Sequence, residues 1–150
     1  MYAAFFFGVA GLGLALPGRA QTNPPAASSL TLVQLNQPPC TVPTTRSIIK
    51  ARLAYRLAPS EQSEYGYAVS IKFVGTTPGL TYSKGRLGQV LISQRADTLS
   101  LEYPMAAILG DARLARPVTC YFYLHRNTSP VPGSSRVIAK TPPIIFKECQ

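Results

Sequence analysis

The sequence predicts an all-β protein in which two antiparallel sheets pack as a β-sandwich. The first observation is a two-residue alternation of apolar and polar side chains along several segments. The second is a set of turn signals, rich in Pro, Gly and Ser, which separates these segments at intervals of about 8–15 residues. The third is the composition, 46% hydrophobic and 14% charged, which is typical of a folded chain.

The first twenty residues differ from the rest of the chain. Tyr2 to Leu16 is almost entirely apolar, and Gly18-Arg19-Ala20 follows as a small-x-small cleavage pattern. We therefore predict a signal peptide over residues 1–20, formed as a signal helix and cleaved after Ala20. Because no basic side chain precedes Arg19, an uncleaved N-terminal anchor is the alternative. A cleaved chain would have no stable membrane anchor and is expected to be secreted or periplasmic.

The mature chain is predicted to be a flexible leader followed by one domain. Residues 21–29 are polar and contain two prolines, and the single β-sandwich domain spans residues 30–150. The first strand, Leu30 to Leu35, has an irregular phase that indicates a β-bulge. Ser47 to Leu57 is the clearest strand, because apolar side chains alternate there with mostly basic ones. Its apolar face carries Ile49, Ala51, Leu53, Tyr55 and Leu57.

Five further strands and one helical turn complete the prediction. The strands are Tyr65–Val74, Leu87–Ser93, Thr98–Tyr103, Pro117–His125 and Arg136–Lys147, and the helical turn is Pro104–Leu109. Thr141-Pro142-Pro143 must lie at a sheet edge or a bulge, because proline cannot donate to a strand ladder. The resulting order of about seven strands resembles an immunoglobulin-like sandwich, in which the third and sixth strands are neighbours. The chain has no tryptophan, so the Cys…Trp…Cys pattern of antibody domains is absent.

Three cysteines allow one disulfide and leave one thiol. We predict a Cys40–Cys149 disulfide, which would join the two ends of the domain. Cys120 lies in an apolar strand and is expected to act as a small buried hydrophobic side chain. Cys40–Cys120 is the competing pairing. The spacing indicates no metal site, because no C-x-x-C occurs and His125 is the only histidine.

The chain is basic, with fifteen Lys and Arg against six Asp and Glu and a net charge of +9. Such a surface attracts phosphates, acidic polysaccharides or an anionic membrane face. Export argues against nucleic acid as a partner. Lys50, Arg52 and Arg56 form a stripe on the polar face of the second strand, which is a candidate site for a polyanion. The alternative is that these charges keep the sheet soluble and discourage edge-to-edge aggregation.

The outward face of the sixth strand provides the candidate ligand-binding residues. Tyr121, Tyr123 and His125 share this face, and Lys72 lies with mostly small side chains on the neighbouring third strand. Flat rings beside a shallow floor would suit sugar rings or a partner's side chains. The alternative is ordinary packing of tyrosines on a solvated sheet, which stabilises by about 0.2–1 kcal/mol per pair.

No catalytic or cofactor motif is present in the sequence. There is no G-x-S-x-G elbow, P-loop or dinucleotide fingerprint, and nothing marks a pair of facing carboxylates. We therefore predict a non-catalytic interaction or structural module of the cell envelope, without a cofactor, whose partner is an extracytoplasmic protein or glycan. The alternatives are a carbohydrate- or polyanion-binding module that uses the exposed Tyr121, Tyr123 and His125 sheet face, a fimbrial-type subunit and a hydrolase that uses His125.

Overall fold

In the computed structural model the described residues are 26–36 and 41–148, and they form two antiparallel sheets in a sandwich-like arrangement. The predicted all-β class is therefore confirmed. The strands of this part of the chain are β1 (Ser29–Leu35), β2 (Ile48–Arg56), β3 (Tyr67–Val74), β4 (Thr81–Tyr82), β5 (Gln89–Ile92), β6 (Ala96–Pro104), β7 (Val118–Asn127), β8 (Ser135–Lys140) and β9 (Ile144–Phe146), and the helix is α1 (Ala106–Leu109). The predicted signal peptide lies outside the described residues.

Within the described part of the chain, one sheet has three strands and the other has six. Sheet 1 has the order β1-β2-β6. Sheet 2 has the order β4-β3-β7-β8, with β5 also paired to β3 and β9 also paired to β7. The central pair of sheet 2, β3 and β7, consists of the third and sixth predicted strands, which were expected to be neighbours. Within residues 26–36 and 41–148 no helix is long and apolar enough to cross a bilayer.

The number of strands differs from the prediction of about seven, since the described residues form nine. β4 is only two residues long, too short to show an alternation in the sequence. The segment predicted as one last strand, Arg136–Lys147, is divided into β8 and β9. Pro142 and Pro143 lie between the two strands, where no ladder hydrogen bond is required of them.

The alternation in β2 assigns its side chains to two faces as predicted. Ile49, Ala51, Leu53 and Tyr55 are buried in the core between the sheets. Lys50, Arg52 and Arg56 are exposed on the other face. The same core receives Val69, Ile71 and Phe73 from β3, Leu101 and Tyr103 from β6, and Phe122 and Leu124 from β7.

The irregular phase of β1 corresponds to a shift in register between Leu32 and Gln34 against β2, as the predicted bulge requires. Beyond the end of β1, the side chain of Asn36 continues the ladder. Its Nδ2 donates to the Ile48 carbonyl at 2.8 Å, and its Oδ1 accepts the Lys50 amide N–H at 2.6 Å. A side-chain amide therefore satisfies backbone groups that a further residue of β1 would otherwise bond.

Cys120 is a free cysteine, fully buried in β7, as expected for a small apolar side chain. Burial raises the pKa of its thiol to about 12. Cys40 and Cys149, the predicted disulfide partners, lie outside the described residues.

Thr141 hydrogen-bonds to β7 in the segment between β8 and β9, where the chain has no regular strand. Its side chain is buried, its Oγ1 accepts the Phe122 amide N–H at 3.1 Å, and its own N–H donates to the Phe122 carbonyl at 3.0 Å. Thr141→Val keeps the shape but removes the acceptor, which leaves the Phe122 N–H buried without a partner. We expect a loss of about 1–3 kcal/mol in the free energy of unfolding, measured by urea denaturation.

Thr119→Val is the matched control for this prediction, because the Thr119 hydroxyl bonds only the Pro117 carbonyl, at 3.1 Å, in an exposed position. Its expected effect is within about 0.5 kcal/mol. Equal effects of the two substitutions would contradict the role assigned to Thr141.

Candidate functional site

A cleft of about 790 Å³ lies on the outward face of sheet 2, on the opposite side from the core. This volume is within the range of about 300–1,000 Å³ that is typical of ligand sites. Its floor includes Ser70 and Lys72 of β3 and His125 of β7. The β4–β5 loop (residues 83–88) and the β7–β8 loop (residues 128–134) form its walls. We call this feature the sheet-2 cleft.

Hydrogen bonds hold both walls, and an ion pair also anchors the β4–β5 loop. In the β4–β5 loop, the Leu87 N–H donates to the Lys84 carbonyl at 3.1 Å, and Lys84 Nζ lies 3.6 Å from an Asp111 carboxylate oxygen. Arg113 also pairs with Asp111 at 2.8 Å and holds the pKa of that carboxyl well below its usual range. The β7–β8 loop is closed by the Thr128 N–H, which donates to the Ser134 carbonyl at 2.9 Å.

His125 and Ser70 form a hydrogen-bonded pair on the floor. Ser70 Oγ lies 2.6 Å from His125 Nε2, and Ser135 Oγ lies 3.4 Å from His125 Nδ1. The register places Ala68 opposite His125 and Ser70 opposite Tyr123, so the pair forms diagonally across the two strands. Burial, and secondly the charge of Lys72, lower the pKa of His125 to about 4. At neutral pH the imidazole is therefore uncharged, with one donor and one acceptor nitrogen.

The predicted exposure of His125 is wrong, because only 7% of this residue is accessible to solvent. Ser70 is also buried, at 5% exposure. The two-residue alternation correctly predicted that both side chains point away from the core. It did not show that the loops on either side of β3 and β7 rise above this face and enclose it.

Lys72 is the cation of the cleft floor. It is half-buried, its Nζ donates to Ser83 Oγ at 2.9 Å, and burial lowers its pKa. Arg86 adds a second positive charge from the β4–β5 loop. In the described part of the chain neither of these cations forms an ion pair, and the cleft lining includes no Asp or Glu. The site therefore presents positive charge and hydroxyl groups together.

Tyr121 and Tyr123 lie beside the cleft but do not line it. The Tyr123 ring centroid is 5.9 Å from that of Tyr121 and 5.8 Å from that of His125. Lys140 Nζ lies 5.6 Å from the centre of the Tyr121 ring, and the Tyr123 hydroxyl is 3.4 Å from Thr81 Oγ1. Of the four predicted ligand-binding residues, the structure brings Lys72 and His125 into the cleft. The two tyrosines instead pack against each other along the sheet.

The predicted polyanion stripe lies on sheet 1, on the opposite side of the sandwich. Lys50 faces Glu102 across the β2–β6 pair and forms an ion pair with it at 3.0 Å. Arg52 and Arg56 are exposed and form no ion pair within the described residues. The stripe is therefore partly neutralised, although both groups of the Lys50–Glu102 pair remain solvated.

Several cleft residues were not found from the sequence. Tyr65, Leu87, Leu91 and Val131 are large apolar side chains at the rim, and each is at least 40% exposed. They come from three separate parts of the chain: the turn before β3, the β4–β5 loop with β5, and the β7–β8 loop. Only the pairing of β5 with β3 and of β8 with β7 brings these segments to opposite sides of one floor.

Comparison with family models finds no match for this chain, and comparisons with curated proteins and with solved structures find none either. The site is therefore interpreted from its own chemistry. In residues 26–36 and 41–148 no group of three or more His, Cys, Asp or Glu side chains is placed to hold a metal ion.

Proposed function

We propose that the protein is a non-catalytic, extracytoplasmic interaction module that binds an anionic partner in the sheet-2 cleft. One observation carries the proposal: Lys72 and Arg86 line the cleft, and among the described lining residues there is no carboxylate to neutralise them. A half-buried ammonium is incompletely solvated, so an anion that replaces the missing water gains more there than at an exposed lysine. The Ser83 hydroxyl beside Lys72 supplies a further hydrogen-bonding group.

The chemistry of His125 supports binding rather than catalysis. Its Nε2 is 2.6 Å from Ser70 Oγ, a distance at which a base can activate a nucleophile. However, its Nδ1 faces the Ser135 hydroxyl instead of a carboxylate, and burial, together with the charge of Lys72, opposes protonation of the ring. With a pKa of about 4 this imidazole is a weak proton acceptor at neutral pH.

The location and the class of partner belong to the same proposal. The apolar N-terminal segment and its cleavage pattern support a secreted or periplasmic protein. The partner in that compartment is a protein, a glycan or a small molecule that presents a carboxylate to the cleft, and nucleic acid is not its partner. The pairing of β3 with β7 supports an immunoglobulin-like layout as the finer description of the sandwich.

A module that binds a long polyanion on sheet 1 is the second candidate function. Exposed Arg52 and Arg56 favour sheet 1 as the surface for a long polyanion, while the ion pair of Lys50 with Glu102 weakens it. The test of the first candidate therefore includes a residue of this stripe.

Lys72→Gln is expected to weaken the binding of carboxylates by about tenfold or more, because it removes a charged hydrogen-bond donor from the floor. The measurement is isothermal titration with two probes that share a carboxylate, oligogalacturonate and octanoate. Arg56→Gln is the matched control, since it removes one charge from sheet 1 and none from the cleft.

The two variants separate the candidates. Weakened binding in Lys72→Gln alone supports the sheet-2 cleft. Weakened binding of oligogalacturonate in Arg56→Gln alone would move the function to sheet 1. Failure of both probes to bind the unmodified protein would overturn the proposal.

A further inference from the structure

Several of the large apolar side chains that are exposed in the described residues line the sheet-2 cleft. Four of the ten in the described residues, Tyr65, Leu87, Leu91 and Val131, line it. Leu91 and Val131 are the two most exposed of all, at 75% and 62%. Scattered exposed apolar residues need no explanation, but a cluster around a concave site marks a binding surface.

These apolar groups lie on both sides of the cationic floor. Leu87 and Leu91 come from the β4–β5 loop and β5, on the β3 side of the floor. Val131 comes from the β7–β8 loop, on the β8 side, with Pro130 and Pro132 next to it. A ligand whose charged end reaches the floor would therefore have its body between two apolar walls.

We infer that the ligand of the sheet-2 cleft is an alkyl carboxylate, with its carboxylate at Lys72 and its hydrocarbon chain between Leu91 and Val131. This inference deepens the proposed function and rests on it. It commits the anionic partner to a small amphipathic molecule.

The floor favours a monoanion as the charged end. Lys72 is the one charged side chain among the floor residues Ser70, Lys72 and His125, since the imidazole of His125 is neutral above its pKa of about 4. A carboxylate carries one negative charge at neutral pH, whereas a phosphate monoester carries about −1.5 to −2 and would need a second cation at the same depth. The other cation of the cleft, Arg86, belongs to the β4–β5 loop and not to the floor.

The residues of the walls favour a hydrocarbon chain over a sugar as the uncharged part of the ligand. Sugar rings bind on flat aromatic faces, and Tyr65 is the one aromatic residue besides His125 among the described lining residues. Leu87, Leu91 and Val131 offer aliphatic contact instead, and each buried methylene of a ligand adds up to about a fourfold gain in affinity.

Isothermal titration with alkanoates of increasing length tests the inference on the whole protein. From butanoate to octanoate we expect the affinity to rise by about twofold to fourfold per methylene. Octanol, which has the same chain without the charge, is expected to bind at least about tenfold more weakly than octanoate. Lys72→Gln should weaken the binding of octanoate and leave that of octanol unchanged.

A double variant, Leu91→Ser with Val131→Ser, tests the contribution of the apolar walls to binding. Both side chains are exposed, so the fold is expected to persist, which circular dichroism and the melting temperature would check. The variant should lose most of the dependence on chain length. Leu80→Ser is the control, because Leu80 is another exposed large apolar residue, at 40%, but does not line the cleft.

The possible outcomes separate this inference from the proposed function. If oligogalacturonate binds through Lys72 but the alkanoates show no dependence on chain length, the inference is wrong and the proposed function stands. If octanol binds as tightly as octanoate, recognition of the carboxylate is wrong. If neither oligogalacturonate nor any alkanoate binds, both the inference and the proposed function fail.

Discussion

Gly88→Ala adds one methyl group and is expected to lower the free energy of unfolding by about 3 kcal/mol. Gly88 ends the β4–β5 loop with a φ of +66°, a left-handed conformation that side chains other than glycine rarely adopt. A Cβ at this position would lie 2.6 Å from Ile71 Cγ2 and 2.6 Å from Tyr103 Cδ2. Both neighbours are fully buried, so neither can move aside without repacking the core.

Two costs combine at Gly88. The left-handed backbone costs an alanine about 1–2 kcal/mol, and overpacking of a well-filled core costs about 1–3 kcal/mol. Ile71 belongs to sheet 2 and Tyr103 to sheet 1, so the backbone of Gly88 lies where the two sheets meet. Urea denaturation followed by circular dichroism measures the change.

Gly85→Ala is the matched control. Gly85 lies in the same loop with a φ of +54°, but a Cβ there meets no atom within 4 Å. This variant should lose only the backbone cost, about 1–2 kcal/mol. If both glycine variants were destabilised equally, the close approach of Gly88 to the core would be refuted.

Acidification from pH 7.5 to pH 5.0 is expected to reduce the free energy of unfolding by about 2 kcal/mol through His125 alone. Burial and the charge of Lys72 lower the pKa of this residue from 6.5 to about 4. Between these two values the unfolded chain binds a proton that the folded chain does not, so stability falls as the pH falls. The stabilisation is fully present above about pH 6.5 and declines until about pH 4.

The interval from pH 5.0 to pH 7.5 is chosen with regard to the other acidic and basic groups whose pKa is shifted. Asp111 has a lowered pKa, and its contribution is lost only below its ordinary value of 3.8. Burial lowers the pKa of Lys72 from an ordinary value of 10.5, which is well above the interval. The measurement is urea denaturation at both pH values.

His125→Gln is the control, because a glutamine can still accept a hydrogen bond from Ser70 but does not titrate. We expect this variant to lose most of the pH dependence. The same pH dependence in the variant and in the unmodified protein would show that His125 is not the titrating group.

Much of the fold was predictable from the sequence because burial acts locally on a strand. The alternation in β2 separates core residues such as Leu53 from solvated ones such as Arg52, and the structure places both as predicted. The irregular phase of β1 likewise indicated its bulge. Two-residue β4 was missed, because a strand that short has no period to detect.

The candidate site was less predictable because it depends on what lies above a sheet face. Alternation correctly predicted that His125 points away from the core, but it carried no information on the β4–β5 and β7–β8 loops that enclose this face. The ion pair of Lys50 with Glu102 likewise depends on the register of β2 against β6, which joins residues fifty-two positions apart. Lys72 was identified from its place beside the sixth strand, whereas Leu91 and Val131 carried no signal in their own segments.

The sheet-2 cleft takes its floor from the two central strands of the sheet and its walls from loops. Loops tolerate insertion and exchange far better than strands do. New segments grafted in place of residues 129–133 would therefore reshape the entrance while the sandwich beneath stays intact. Under the proposed binding function, selectivity would therefore depend on a loop that can be exchanged with little effect on the stability of the sandwich.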